Sequence, residues 1–198
     1  MGFSPLSGLM MGTRAGSVDP AIVLHAVQHL NKSVDEVLDD LNQNSGLKAM
    51  VYPYPSFDMR DLLKRSREDD KAALAVDMFV YQLAQHIASS MVALKGPLDA
   101  IVFTGGIGEH SAEIRQRCML QLKSILHIEL DPERNEVGGK ESAGVLTPDG
   151  NWPVVLDIAT DEEAMIAREC YRLIPHHEVP SHLQEKIFQY LVAIVGLD

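Results

Sequence analysis

The chain is poor in cysteine. Only Cys118 and Cys170 occur among its 198 residues, and they show no metal-ligand spacing. That argues against a disulfide scaffold or a thiolate metal centre. Both thiols fall in helical patterns and read as reduced core or semi-core positions. Positive charge is also scarce: 17 Lys and Arg stand against 28 Asp and Glu, a net charge of −11. Such a chain repels nucleic acid and anionic membrane, so neither is an expected partner. Any phosphate site must be built from a few local cations and backbone donors. No apolar run reaches the length of a membrane span, and no signal-peptide pattern is present, so the expectation is a soluble cytoplasmic protein. Internal repeats and low-complexity segments are missing too. The lone Trp152 stands beside a turn signal and reads as a packing residue.

What is present is enough apolar material for a core: 46% of the residues are hydrophobic. A chain of this size buries roughly 70% of its unfolded surface. Met1 to Val18 is glycine-rich and reads as loop. Asp19-Pro20 opens a helix with an apolar face of Ile22, Val23, Ala26, Val27 and Leu30. Ser33-Val-Asp-Glu36 has the form of a capping box opening a second helix that stops near Ser45-Gly46. Two prolines make Val51–Ser56 an extended loop, and Asp58 starts a short helix to Arg67. Asp70–Leu94 is the longest helical pattern, with Leu74, Met78, Leu83, Ile87 and Met91 as its stripe and alanines between them. Lys95-Gly96-Pro97 ends it. A turn signal at Leu146–Trp152 separates two short strands, the second being Pro153–Ala159. Thr160-Asp-Glu-Glu163 reads as another capping box, opening a helix to about Leu173. Residues 175–180 read as a linker and 181–198 as a last apolar helix.

The most informative stretch is Ile101-Val-Phe-Thr-Gly-Gly-Ile-Gly-Glu-His110. A short apolar strand runs into a glycine-rich turn, and a helix follows from Ser111. Such a turn lets backbone approach a nucleotide closely, with helix N–H groups facing the ligand. It matches neither the dinucleotide fingerprint nor the P-loop, and a turn that merely packs strand against helix would look the same. Two apolar strands, each followed by a helix, are too few for a stable parallel sheet. The expected fold is therefore helix-rich α/β with few strands and an incomplete sheet.

Four motifs in order carry a family resemblance. MGFSPLSGLMMGTRAGSVDP at 1–20, Asp58-Met-Arg-Asp-Leu62, Phe103-Thr-Gly-Gly-Ile-Gly-Glu109 and Thr160-Asp-Glu-Glu163 resemble the later signatures of acetate kinases. The resemblance runs from Met1 to about Leu173. It implies part of a ribonuclease-H-like domain of the acetate and sugar kinase, Hsp70 and actin superfamily, the actin-like ATPase fold. It further implies transfer of the γ-phosphoryl of ATP to acetate, giving acetyl phosphate and ADP, with Mg²⁺. Only the C-terminal half of such proteins is resembled, and not all of it. The first Mg²⁺-site residues, the acetate pocket, the first phosphate loop and several strands belong to the remainder. The implied organisation is residues 1–174 as part of the kinase domain and 175–198 as an additional segment. The implied assembly is a homodimer or a complex with the N-terminal half.

Residue by residue, Arg14 matches the arginine that stabilises the transferring phosphoryl group, a task suited to a planar two-pronged donor; read without the family it is an ordinary loop arginine. Asp58, Met59 and Arg60 match the element lining the nucleotide site, and Asp58 also reads as a helix N-cap. Gly105, Gly106, Ile107, Gly108 and Glu109, with His110, match the adenosine-binding loop. The family usually has Asn at the last of these positions, and a neutral imidazole supplies only one donor. Glu162 matches the glutamate that holds Mg²⁺, preceded here by Asp161 where Asn is usual. Glu163 reads as an acid at a helix start. Val51–Pro55 departs from the family's Gly/Ser-rich stretch. The other histidines have no ligand spacing. Alternatives carried forward are a non-catalytic module that binds nucleotide or dimerises, and propionate or another short-chain carboxylate as substrate. By itself this chain is expected to be inactive.

Overall fold

A computed structural model describes residues 2–173. The chain divides into two compact units, Met1–Ile158 and Ala159–Asp198. The expected linker at 175–180 and helix at 181–198 lie outside the described residues.

The first unit is helical around a small sheet. α1 (Ala21–His29) begins where Asp19 Oδ1 accepts the Ala21 N–H. α2 (Val34–Gln43) carries the full capping box: Ser33 accepts the Glu36 N–H and the Glu36 carboxylate accepts the Ser33 N–H. α3 (Gly46–Met50) is a single turn that the sequence pattern hid between two loops. α4 (Met59–Arg65) is capped by Asp58. α5 (Asp70–Met91) is capped by Asp69, which accepts the N–H groups of Lys71 and Ala72. Then come β1 (Ala100–Phe103), α6 (Gly105–His110), α7 (Ala112–Leu126), α8 (Pro132–Glu136) and β2 (Val154–Asp157). β1 and β2 pair in parallel from Ala100↔Val154 to Phe103↔Asp157. The expected strand before the 146–152 turn is a single antiparallel bridge, Val145↔Leu156. The sheet among the described residues thus has two strands, in agreement with the expectation of an incomplete sheet.

Two apolar clusters share α5 and α7. The first joins Met10, Leu47, Val51, Met59 and Leu62 to the N-terminal half of α5 and to Ile114. The second joins Ala84 to Ile101, Phe103, Cys118, Met119, Leu122, Leu146 and Val155. The α5 stripe is rotated from the expected one. Ala72, Ala75, Val76, Phe79, Val80 and Ala84 are buried, whereas Leu74 is 54% exposed. Met78, Leu83 and Ile87 are partly buried and flank this face instead of filling it. α1 buries no residue: Ile22 and Leu30 of its expected apolar face are exposed. Trp152 is 65% exposed and is not a packing residue.

Backbone constraints fix the loop that carries Arg14. Leu47 and Lys48 donate N–H to the carbonyls of Met11 and Gly12, Ser45 donates to Thr13, and Ala15 donates to Leu41. The contact is close enough that a Cβ at Gly46 would lie 2.1 Å from the Met11 oxygen and 2.6 Å from the Arg14 oxygen, at a φ of +60°. Only glycine fits. In the second unit, α9 (Glu162–Leu173) starts where Asp161 Oδ1 accepts the Ala164 N–H at 2.8 Å.

Gly46→Ala is expected to destabilise by more than about 1 kcal/mol, because both the left-handed backbone and the carbonyl contact oppose it; urea denaturation measures this. The cysteines differ from the expectation that both are core or semi-core. Cys118 is buried, and burial pushes its thiol up to about 12, while Cys170 is exposed. A chromogenic thiol reagent at neutral pH should therefore titrate one thiol in the native chain and two in denaturant.

Candidate functional site

The expected tight turn at Gly105–His110 is a short helix. Gly105 takes φ +72° and opens α6 directly after Thr104. Glycine-rich sequence disfavours helix, and a six-residue helix has too few internal bonds to stand alone. No residue of α6 is buried. Tertiary contacts hold it. The Glu109 carboxylate folds back to accept the Gly105 N–H at 2.7 Å, Ile107 packs against the first cluster, and the carbonyls of Gly108 and Glu109 accept from Arg115 Nη1 at 2.7 and 2.9 Å.

Arg115 is 1% exposed. Its Nε donates to Asn135 Oδ1 at 2.8 Å and its Nη2 to the Asn135 carbonyl. Asn135 in turn donates to the Ala112 carbonyl at 2.9 Å. Arg115 Nη1 also lies 3.0 Å from Asp157 Oδ2, in a pair shielded from water on both sides. Burial pushes the Asp157 carboxyl above the usual range against the pull of Arg115, and burial lowers Arg115 against the pull of Asp157. Asp157 ends β2 opposite Phe103, and the Ile158 N–H continues the ladder to the Phe103 oxygen at 3.0 Å. The cluster therefore sits at the carboxyl end of the parallel strands, where open α/β sheets place their ligands.

A groove of about 390 Å³ runs beside α6. Gly12, Leu47, Phe57, Asp58, Met59, Arg60, Gly106, Ile107, His110 and Ser111 line it. Two of the expected motifs, far apart in sequence, thus line one hollow. Gly106 leaves it open, since a Cβ there would meet nothing within 4 Å. Gly105, Gly108 and Glu109 belong to the same helix without lining the groove. The walls are mostly apolar, with polar groups at Asp58, Arg60, His110 and Ser111. Asp58 grips its neighbour: Oδ1 accepts the Arg60 N–H and Nε–H, and Oδ2 accepts from Nη2, each at 2.9 Å. The Arg60 guanidinium and N–H hold the Asp58 carboxyl at about 2, below its ordinary 3.8.

Arg14 does not line this groove, although Gly12 in the same loop does. Its Nη1 lies 3.9 Å from Met11 Sδ. Glu162 is exposed in the first turn of α9, in the second unit. No group of three or more His, Cys, Asp or Glu among the described residues is gathered as a metal ligand set. A single carboxylate fits Mg²⁺ carried by nucleotide phosphates, which takes one or two protein carboxylates, and does not fit a protein-built metal cage. At the start of α6 the Gly105 N–H donates to the Glu109 carboxylate, so that donor is not offered to a phosphate.

Sequence reasoning passed over Gly12, Leu47, Phe57 and Ser111 as lining residues, and Arg115, Asn135 and Asp157 altogether. Arg115 left a legible signal. It lies between Ile114 and Cys118–Met119 on the buried face of α7, and a charge in such a register requires a partner.

Comparison with known proteins agrees with the motifs. Residues 1–168 match the model of the Acetokinase family. The acetate kinase of Shewanella amazonensis is 44% identical over 175 residues, spanning 88% of this chain and 43% of that protein. That of Clostridium novyi is 42% identical over 180 residues, 90% of this chain and 43% of that protein. Among solved structures, a propionate kinase from Francisella tularensis superposes with a TM-score of 0.77 at 36% identity, covering 88% of this chain and 43% of that one. The acetate kinase of Entamoeba histolytica gives 0.77 at 33%, covering 88% and 45%. The chain thus spans less than half the length of these relatives and shares their actin-like ATPase fold. With the family model covering most of its residues, the chain belongs to the acetokinase family.

Proposed function

We propose that this chain is the C-terminal part of an ATP-dependent acetate kinase, a phosphotransferase with a carboxylate acceptor, and that the groove beside α6 seats the nucleoside end of ATP or ADP. The observation that carries this reading is the meeting of Asp58-Met59-Arg60 with Gly106-Ile107 and His110 around one apolar hollow. Phe57, Met59 and Ile107 offer faces for a base, and Gly106 leaves room for it. His110 and Ser111 offer polar contacts. The Glu109 carboxylate at the start of α6 repels phosphate there, so the nucleoside is the better occupant.

The remaining roles follow from the family pattern. Arg14 would neutralise charge on the phosphoryl group as it moves between ADP and acetate, by two hydrogen bonds from one plane. Glu162 would hold Mg²⁺, which when bound draws charge from the phosphate oxygens. No covalent enzyme intermediate is needed; positioning and charge neutralisation suffice. The acetate pocket belongs to the part of the relatives that this chain does not span. Propionate is the second acceptor considered, because a propionate kinase is among the similar structures. A homodimer and a cytoplasmic location complete the proposal; no helix of the described residues is long and apolar enough to cross a membrane. The competing reading is a module that binds nucleotide or dimerises without turnover, favoured by the share of the relatives that the chain covers.

Titration calorimetry of this chain with ATP should show saturable binding, whereas a coupled assay should find no acetate-dependent ADP release. Absence of ATP binding at millimolar nucleotide overturns the groove assignment, and acetate-dependent turnover overturns the expected inactivity. Gly106→Leu separates site from fold. Leucine is a good helix former and its Cβ meets open space, so thermal stability should hold or rise while ATP affinity falls by about tenfold or more. Asp58→Asn tests the groove's rim. Asn still caps α4, so only the charge pair is lost. The Asp58 carboxyl is lowered when folded, so its contribution is present above pH 3.8 and disappears as the pH falls through about 2. The wild-type advantage in thermal midpoint should be small, since the pair is exposed, constant above about pH 5, and closing toward pH 2.

A further inference from the structure

We infer that Arg115 is a positioning residue of the nucleotide groove: by holding the carbonyl end of α6 against the carboxyl end of β2, it sets where Gly106, Ile107 and His110 stand. This rests on the nucleotide reading of the groove. Three observations carry it. First, α6 has no fully buried residue, only Ile107 packed against the first cluster, and beyond the Ile107 oxygen, which takes the Ser111 N–H, its carbonyls lack partners within so short a helix. Second, the carbonyls of Gly108 and Glu109 receive Arg115 Nη1 at 2.7 and 2.9 Å. Third, the guanidinium itself has little freedom. Asn135 takes its Nε and Nη2, Asp157 lies 3.0 Å from Nη1, and the side chain is 1% exposed. Gly138 permits the approach of Asp157, because a Cβ at that position would lie 2.8 Å from Asp157 Oδ2. Each nitrogen of the Arg115 guanidinium donates to an element other than α7. That pattern suits a part whose task is to place α6, which forms one wall of the groove.

Lysine at 115 keeps the charge for Asp157 but loses the planar fork that serves Asn135 and α6 together. The test compares the wild-type chain with Arg115→Lys and with Leu146→Ala, a cavity-forming control in the second cluster that lowers stability without touching the fork. Two readings are taken on folded protein well below the melting transition: ATP affinity by calorimetry, and amide hydrogen exchange at Glu109, His110 and Ser111 relative to α5. Arg115→Lys should speed exchange in α6 about tenfold relative to α5 and weaken ATP by about tenfold. Leu146→Ala should change neither ratio. An Arg115→Lys protein whose α6 exchange keeps pace with α5, or whose ATP affinity stays within about twofold of the wild type's, overturns the assignment. If Arg115→Lys gives no cooperative melt, Asn135→Ala, which leaves the Arg115–Asp157 pair in place, is read by the same two criteria. If the wild-type chain binds no ATP, the nucleotide reading fails on its own, and α6 exchange still decides whether Arg115 places that helix.

Discussion

The buried pair of Arg115 and Asp157 is the constraint on which the site depends. Charges taken from water cost several kcal/mol each, and attraction offsets that only when the remaining donors and acceptors are satisfied. Here they are: Asn135 occupies one side of the guanidinium and the α6 carbonyls occupy another. Removing one partner of such a pair typically costs about 3–5 kcal/mol, whereas replacing both by apolar groups can be neutral. The pair is therefore better understood as fixing geometry than as adding stability. Four elements, α6, α7, α8 and β2, are brought into one arrangement by a single side chain.

The other wall of the groove is set by a different device. The loop from Met11 to Arg14 is bound through its carbonyls to the start of α3, with Gly46 as the residue that makes the contact possible. Asp58 then caps α4 and turns Arg60 back upon itself, so the rim carries a closed ion pair instead of two free charges. Between the walls lie apolar side chains from Leu47, Phe57, Met59 and Ile107. A hollow with apolar faces and a few polar groups at its edge suits a heterocyclic base and a ribose better than a triphosphate.

Much of this was legible in the sequence because capping chemistry and periodicity are local. Ser33–Glu36, Asp58 and Ser111 cap helices where their spacing indicates, and β1 and β2 are short apolar strands as read. What escaped notice was set by tertiary contact. On α5 the buried face runs through Ala72, Ala75, Val76, Phe79, Val80 and Ala84 and leaves Leu74 exposed, because the elements packed on the helix, and not its own pattern, decide which face is covered. Gly105–His110 is helical although glycine disfavours it, since Arg115 and Glu109 supply what the local sequence lacks. α3 and α8, five residues each, are too short for a periodic signal. Asp58–Arg60 and Gly106, Ile107 and His110 of the motifs line the groove while Arg14, Gly105, Gly108 and Glu109 do not, and the residues joining α6 to the sheet carry no motif.

The central claim is that the hollow between Asp58–Arg60 and α6 receives the nucleoside. A crystal structure of this chain grown with ADP tests it most directly. The account requires the adenine ring between Phe57 or Met59 and Ile107, over Gly106, with the phosphates leading away from Glu109. A nucleotide bound elsewhere on the chain, or one whose phosphates sit at the Gly105 end of α6, would contradict it.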